Sequence, residues 1–309
     1  MRILRHAGAG DTRTAIAIGS FDGVHRGHAA ILEHVKREAL SRGLVPAVLT
    51  FEPLPREFFA PERAPARLAC LAERLALLAR HGVEIAFVER FDARFAALDA
   101  ESFARRLYRH YGARWVTVGE DFRYGHARAG DAASLAAAGR ALGFEVEVLG
   151  TVGEGGERIS STRVRAALAA GDFALARRLL GRPYEICGRV VHGAKRGRAL
   201  GFPTANVRLA RIRTALAGIF AVKCHGVASR GLEGVASLGT NPAVRSGGPA
   251  SLEAFLFDFS GDLYGRRVSI EFVKKLRDEA RFASLDELAA QIRRDCDAAR
   301  EVFRAHETR

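Results

Sequence analysis

Residues Thr14–His28 constrain the fold more than any other stretch of this 309-residue chain. Thr14-Ala-Ile-Ala-Ile18 is a short apolar run and reads as a buried strand. Gly19-Ser-Phe-Asp-Gly-Val-His-Arg-Gly-His28 follows, and Ala29–Ser41 then shows helical periodicity with a stop at Gly43. Strand, glycine-rich turn and helix is the setting in which backbone N–H groups and a helix N-terminus receive a phosphate. The spacing matches neither GxGxxG nor GxxxxGK[ST]. Instead His25 and His28 stand three residues apart at the helix entrance, with Gly27 between them letting a ligand approach the backbone. Two possible donors therefore lie where a polyphosphate would rest. The bland alternative is a turn carrying two solvated histidines.

Around this unit, short apolar runs alternate with amphipathic helices up to about residue 182. Strands are expected at 14–18, 45–51, 83–88, 114–118 and 144–149, with helices near 29–41, 62–81, 99–111 and 131–142. Such alternation predicts a parallel sheet covered by helices on both faces. Ligands bind beyond the carboxyl ends of strands in such sheets, where the informative loops also fall. They are 19–28, Phe51-Glu-Pro-Leu-Pro55, Gly119–Gly125, and Ile159–Arg165 opening a further helix with Ser160 or Ser161 as N-cap.

After Arg182-Pro183 the period changes. Short alternating runs at 184–191, 218–224, 233–238, 252–259 and 267–273, separated by turn clusters, predict an antiparallel β-barrel. A last amphipathic helix over 284–304 opens at Ser284 with Glu287 three residues on, a capping-box spacing.

Composition excludes several classes. No run approaches the length of a membrane span, and the N-terminus lacks the apolar stretch of a signal peptide, so a cytoplasmic protein without a membrane partner is expected. Cys70, Cys187, Cys224 and Cys296 show no ligand-like spacing and are expected as reduced thiols. The net charge of +13 is spread over both halves, +6 on residues 1–182 and +7 on 183–309, and is carried almost wholly by arginine. With no basic tail, it argues for polyanionic small ligands such as ATP rather than nucleic acid. Oligomeric state is not legible.

The motifs resemble those of the bacterial bifunctional riboflavin kinase and FMN adenylyltransferase (FAD synthetase) family over nearly the whole chain. In the first half the matching segments are Gly19–His28, Val118-Gly-Glu-Asp-Phe122 and Ile159–Arg165. In the second they are Gly193-x-x-Arg196-Gly-Arg-x-Leu-Gly-Phe-Pro-Thr-Ala-Asn206, Leu263-Tyr-Gly265, and Phe282 with Gln291-x-x-x-Asp295. Two departures stand out: Leu54 where the family often has His, and Ser237-Leu-Gly-Thr-Asn-Pro-Ala243 where it often has Asn-Ile-Gly-x-Arg-Pro-Thr.

The resemblance implies an α/β Rossmann-like nucleotidyltransferase domain over 1–182. A β-barrel riboflavin-kinase-like domain with a terminal helix follows over 183–309. Its substrates would be ATP, riboflavin and FMN, with Mg²⁺ accompanying ATP. In the first domain His25 and His28 would be catalytic, and Gly19, Phe21, Asp22, Gly23, Gly27, Asp121, Ser161, Thr162, Arg163 and Arg165 would bind nucleotide. Phe51, Pro53 and Phe122 would flank the flavin. In the second, Glu253 would be the base, placed by period-two counting on one face with Phe255, Phe257 and Phe259. Gly193, Lys195, Arg196, Gly197, Arg198, Pro203, Thr204 and Asn206 would bind nucleotide, with Thr204 and Asn206 also offering oxygens to Mg²⁺. Two rival readings remain: a nucleic-acid-binding protein with degenerate enzyme domains, and an adenylyltransferase acting on another phosphorylated acceptor.

Overall fold

A computed structural model describes residues 1–5, 8–193, 201–211, 213–240 and 250–307. Two compact units form, Met1–Pro65 with Leu71–Ser160, and Ala66–Cys70 with Ser161–Arg309.

The first unit is built on a six-stranded, wholly parallel sheet. Its elements run β1 (Arg2–Leu4), β2 (Thr14–Ile18), α1 (Arg26–Ser41), β3 (Val45–Glu52), α2 (Pro55–Phe59), α3 (Leu71–Arg80) and β4 (Ile85–Arg90). They continue through α4 (Ala93–Ala96), α5 (Ala100–Arg109), β5 (Ala113–Gly119), the short pair β6 (Arg123–Tyr124) and β7 (Gly130–Asp131), α6 (Ala132–Leu142) and β8 (Glu145–Leu149). A second small hairpin, β9 (Gly153–Glu154) and β10 (Glu157–Arg158), closes the unit. Strand order is β1-β4-β3-β2-β5-β8. Because side chains alternate along a strand, each central strand feeds two cores. Ile16, Leu49, Phe87 and Val116 pack under α5 residues such as Phe103 and Leu107. Ala17, Val48, Ala86 and Trp115 pack under Leu32 and Val35 of α1 and Leu75 and Leu78 of α3.

All five expected strands are present, and β1 adds a sixth whose three-residue length carried no periodic signal. The helix expected over 62–81 is instead a 3-10 turn at Pro61–Arg63 and, after a non-helical stretch, α3 from Leu71. Pro61 and Pro65 lack the N–H that a continuous helix requires and force their predecessors out of helical geometry.

In the second unit α7 (Ser161–Ala169) and α8 (Phe173–Leu180) precede a closed antiparallel barrel. The barrel strands are β11 (Glu185–Val191), β12 (Thr204–Arg208), β13 (Gly218–His225), β14 (Leu232–Thr240), β15 (Ala250–Leu256) and β16 (Arg267–Arg277), in the order β11-β12-β15-β14-β13-β16. Closure leaves no exposed strand edge. The compact unit starts ahead of the change in periodicity at Arg182-Pro183, since Phe173 of α8 packs on Phe220 and Phe272 of the barrel. The final helix α9 (Leu285–Glu307) lays Cys296, Ala299, Val302 and Phe303 against Ile219, Ala221 and Val235. Ser284 Oγ accepts from the Glu287 N–H at 3.1 Å, while the Glu287 carboxylate turns back to the Ala283 N–H at 3.0 Å, so both orphan donors are satisfied. All four cysteines are free, and burial pushes the Cys224 and Cys296 thiols up to about 11.

Candidate active sites

In the strand order of the first unit the chain leaves β2 toward β3 on one side and returns through β5 on the other. The β2 and β5 exits therefore flank the topological switch point, where such sheets bind ligands. The β2 exit is the Gly19–His28 loop. The helix begins at Arg26, earlier than periodicity indicates, so Gly27 and His28 belong to its first turn and His25 is its N-cap. His25 Nδ1 accepts from the His28 N–H at 3.3 Å. An imidazole thus does the work usually given to Ser or Asp, a capping signal that helical periodicity does not reveal. Acceptance at Nδ1 places the proton of the neutral ring on Nε2.

The two imidazoles stack with centroids 3.7 Å apart, and Phe21 tilts against His28 at 5.3 Å. A Cβ at Gly27 would lie 3.2 Å from the His25 ring, so a side chain there would displace the cap. Phe21 (φ 49°) and Val24 (φ 40°) hold left-handed backbone, unusual for a bulky and a β-branched residue. Together with Gly23 (φ 81°), they curl the loop back over the sheet, and Phe21, Val24 and Asp22 are all buried. Such strain persists only where surrounding packing enforces it, and it concentrates at functional loops. His28 Nδ1 is buried and has no hydrogen-bond partner among the described residues. Burial, then the His25 and Arg158 charges, hold His28 well below the usual histidine range. A neutral ring with a buried nitrogen that has no protein partner among the described residues is a candidate ligand contact.

Gly19 and Asp121 lie at the ends of β2 and β5, and exposed Asp121 faces Arg158 of β10 at 3.4 Å. Beyond the strand ends opens a cavity of about 860 Å³, lined by Ile18, Phe51, Phe58, Phe91, Phe95 and Phe122 among others. Phe51 and Phe122, the two aromatics expected beside a flavin, both line this cavity. Pro53, joined to Glu52 by a cis peptide, does not line it, and the wall prolines are Pro55 and Pro65. Phe58, Phe91, Phe95 and Tyr124 were not singled out from sequence, because they are scattered among elements and only folding gathers them. Ser161, Thr162, Arg163 and Arg165 fall on α7 in the second unit, where Arg165 Nε donates to the Ala66 carbonyl at 2.6 Å.

In the barrel, β12 pairs with β15 so that Asn206 lies opposite Glu253 and Thr204 opposite Phe255. Thr204 Oγ1 donates to Glu253 Oε2 at 3.3 Å. A Cβ at Gly193 would come within 2.4 Å of the Asn206 amide, so that amide rests directly on the glycine. Thr204 and Asn206 of β12 and Glu253 of the paired strand β15 therefore present oxygens at one place. Glu253 shares a strand face with Phe255 as expected, and Phe255 meets Phe257 with ring centroids 6.0 Å apart, but the regular alternation does not reach Phe259. The strand runs only to Leu256, and Leu252, Ala254 and Leu256 fill the barrel interior. Glu253 lies on the opposite, half-buried face with Ser251 and Phe255, and left-handed Asp258 (φ 53°) ends the alternation before Phe259. Period-two counting finds two faces but does not say which one closes inward. Pro203 precedes β12, whose strand the sequence reading missed, while Lys195, Arg196, Gly197 and Arg198 lie outside the described residues, as do Asn241, Pro242 and Ala243. Phe282, Gln291 and Asp295 converge on Arg277, whose Nε and Nη2 bind the Asp295 carboxylate at 2.8 and 2.7 Å.

A strand–glycine-rich loop–helix unit on a parallel sheet and a closed barrel with a Thr–Asn–Glu cluster are the two candidate sites. The FAD synthetase family model matches residues 9–163, and the riboflavin kinase model matches 180–303. The chain belongs to the bifunctional riboflavin kinase/FMN adenylyltransferase family. Relatives bearing that name are 50% identical in Escherichia coli (93% of this chain, 92% of the relative) and 49% identical in Pseudomonas fluorescens (92% and 91%). A crystal structure described as a macrolide-efflux protein from Streptococcus pneumoniae is 29% identical, covers 97% of this chain and 99% of its own, and superposes with a TM-score of 0.77. No described helix here is long and apolar enough to cross a membrane.

Proposed function

We propose that the Gly19–His28 loop with the aromatic cavity is the site of adenylyl transfer, and that Thr204, Asn206 and Glu253 form the site of riboflavin phosphorylation. The family's two activities are those of this chain: riboflavin is phosphorylated to FMN, and FMN is adenylylated to FAD. The functional boundary is proposed at Arg182/Pro183, just inside the start of the riboflavin kinase match at residue 180.

In adenylyl transfer a phosphate oxygen of FMN attacks the α-phosphorus of ATP. That P–O bond forms, the bond from the α-phosphorus to the bridging oxygen breaks, and pyrophosphate leaves with the bond electrons. The nucleophile is already an anion, so catalysis rests on positioning and on donors aimed at the developing charge. The α1 N-terminus, His25 Nε2–H and His28 supply those donors. Arg163 and Arg165 are proposed to hold the pyrophosphate, and Phe51 and Phe122 to flank the isoalloxazine. The buried, unsatisfied Nδ1 of neutral His28 beside the stacked His25 is the observation that carries this assignment.

In phosphorylation the riboflavin 5′-hydroxyl oxygen attacks the γ-phosphorus and ADP leaves. Glu253 accepts the hydroxyl proton. Thr204 and Asn206 offer only hard oxygen donors on one face of β12, a set that suits Mg²⁺ while leaving positions for water and phosphate oxygens. Bound there, the ion would neutralise charge on the transferring phosphate. The phosphate-proximal role proposed for Gly193 fits its close packing on Asn206. Chromatography of products from riboflavin, ATP and Mg²⁺ tests the whole reading: FMN should form first and FAD follow, and chelation should stop FMN formation. Absence of both products would overturn it.

A further inference from the structure

We infer that Arg74 is a positioning residue for adenylyl transfer, its buried guanidinium tying the Gly19–His28 loop to the Phe51–Pro53 segment and so setting the spacing between the ATP and flavin sites. The inference rests on the site assignment proposed above. Arg74 lies on the first turn of α3 and is wholly buried, rare for a charged side chain unless it is paired. Its Nη1 donates to the Ser20 carbonyl at 2.9 Å. Its Nη2 donates to the Phe51 carbonyl at 2.9 Å and to Glu52 Oε2 at 3.1 Å. One planar fork thus grips the exits of two adjacent parallel strands, β2 and β3.

The gripped carbonyls are chosen by position. Ser20 immediately precedes Phe21, where the left-handed curl of the loop begins, and Thr50 Oγ1 gives the same carbonyl a second donor at 3.4 Å. Phe51 is itself a cavity wall. Sheet pairing stops registering the strands at their ends, as Ile18 opposite Leu49 is the last pair of β2 with β3. Past that pair, a Gly19 N–H to Leu49 carbonyl bond at 3.1 Å, the guanidinium and the Thr50 hydroxyl link the two segments. A fork of fixed geometry transmits a distance, which a single flexible ammonium does not. Displacement of about 1 Å between reacting groups can cost on the order of 10² in rate.

Arg74→Lys keeps the charge and loses the fork. The expected result is a fall in kcat for FMN adenylylation of about 10–100-fold. The separate Kd values for FMN and for α,β-methylene-ATP should each stay within about threefold, because each half-site remains intact. Riboflavin kinase activity of the same full-length chain and its circular dichroism should match the parent. The milder Glu52→Gln, which loosens the guanidinium without removing it, should lower kcat in the same direction by less. Unchanged kcat in both variants overturns the inference. So does a loss in which both ligands bind more weakly by the same factor as kcat falls, the mark of a generally damaged site. His28→Ala run in parallel separates the two readings: if it retains full FAD formation, the site assignment itself fails, whereas its loss beside a fully active Arg74→Lys refutes the positioning role alone.

Discussion

His25 caps the helix that carries His28: the His25 Nδ1 accepts the backbone N–H of His28, and the two rings stack 16° from parallel. One residue thereby shapes the helix terminus and stacks on the ring proposed to meet the ligand. Capping and chemistry can be separated by substitution. His25→Asn keeps a side-chain acceptor at the N-cap, so stability should stay within about 1 kcal/mol of the parent in urea melts. FAD formation should nevertheless fall by roughly 10²-fold, since the ring donor is gone.

His28→Ala removes the second ring without touching the cap. FAD formation from supplied FMN should drop on the order of 10²–10³-fold while FMN formation from riboflavin stays near normal. Coupled product chromatography reads both rates in one reaction. FAD production at the parental rate would return the loop to an ordinary turn.

Acid should destabilise the first unit through the same residue. His28 is held below its ordinary value of 6.5 in the folded state, chiefly by burial. The unfolded chain therefore binds the proton first, and stability falls as pH drops from about 6.5 toward the folded value, with no contribution from His28 well above that range. Urea unfolding at pH 7.5 and 5.5 checks it: His28→Asn should lose less stability over that interval than the parent. His110, also lowered by burial, is present in both proteins and cancels in the comparison.

Glu253→Gln keeps shape and removes the base. Riboflavin phosphorylation should fall by roughly 10²–10⁴-fold. Conversion of supplied FMN to FAD should persist, because that nucleophile needs no deprotonation. A Gln variant with full kinase activity would show that the base lies elsewhere.

Asp295 and Arg277 join α9 to β16 through two hydrogen bonds, with Asp295 buried and held within α9 by a Gln291 Nε2–H donating to its Oδ1 at 2.9 Å. Asp295→Ala leaves the guanidinium unpaired in a partly buried place, so the barrel should lose about 2–3 kcal/mol in denaturant melts. FMN adenylylation should be unaffected at low denaturant.

Local pattern was enough for the class of each half and for the ends of most strands. The period of apolar residues reports which faces a chain must bury, and the Gly19–His28 and Gly193–Asn206 strings are contiguous, so their chemistry is legible without folding. What required tertiary structure was every relationship across strands. The order β4-β3-β2-β5 decides that the β2 and β5 exits meet at one crevice. Barrel closure decides that Leu252 rather than Glu253 faces inward. The convergence of Phe51, Phe91, Phe95 and Phe122 on one cavity has no sequence signature, because each is an ordinary core aromatic in its own segment. Arg74 reads as one more polar position on an amphipathic helix, and only the parallel pairing of β2 with β3 brings two carbonyls to its guanidinium. Periodicity encodes burial, which is local. Distances between functional groups arise from strand order and long-range hydrogen bonds, which only the folded chain determines.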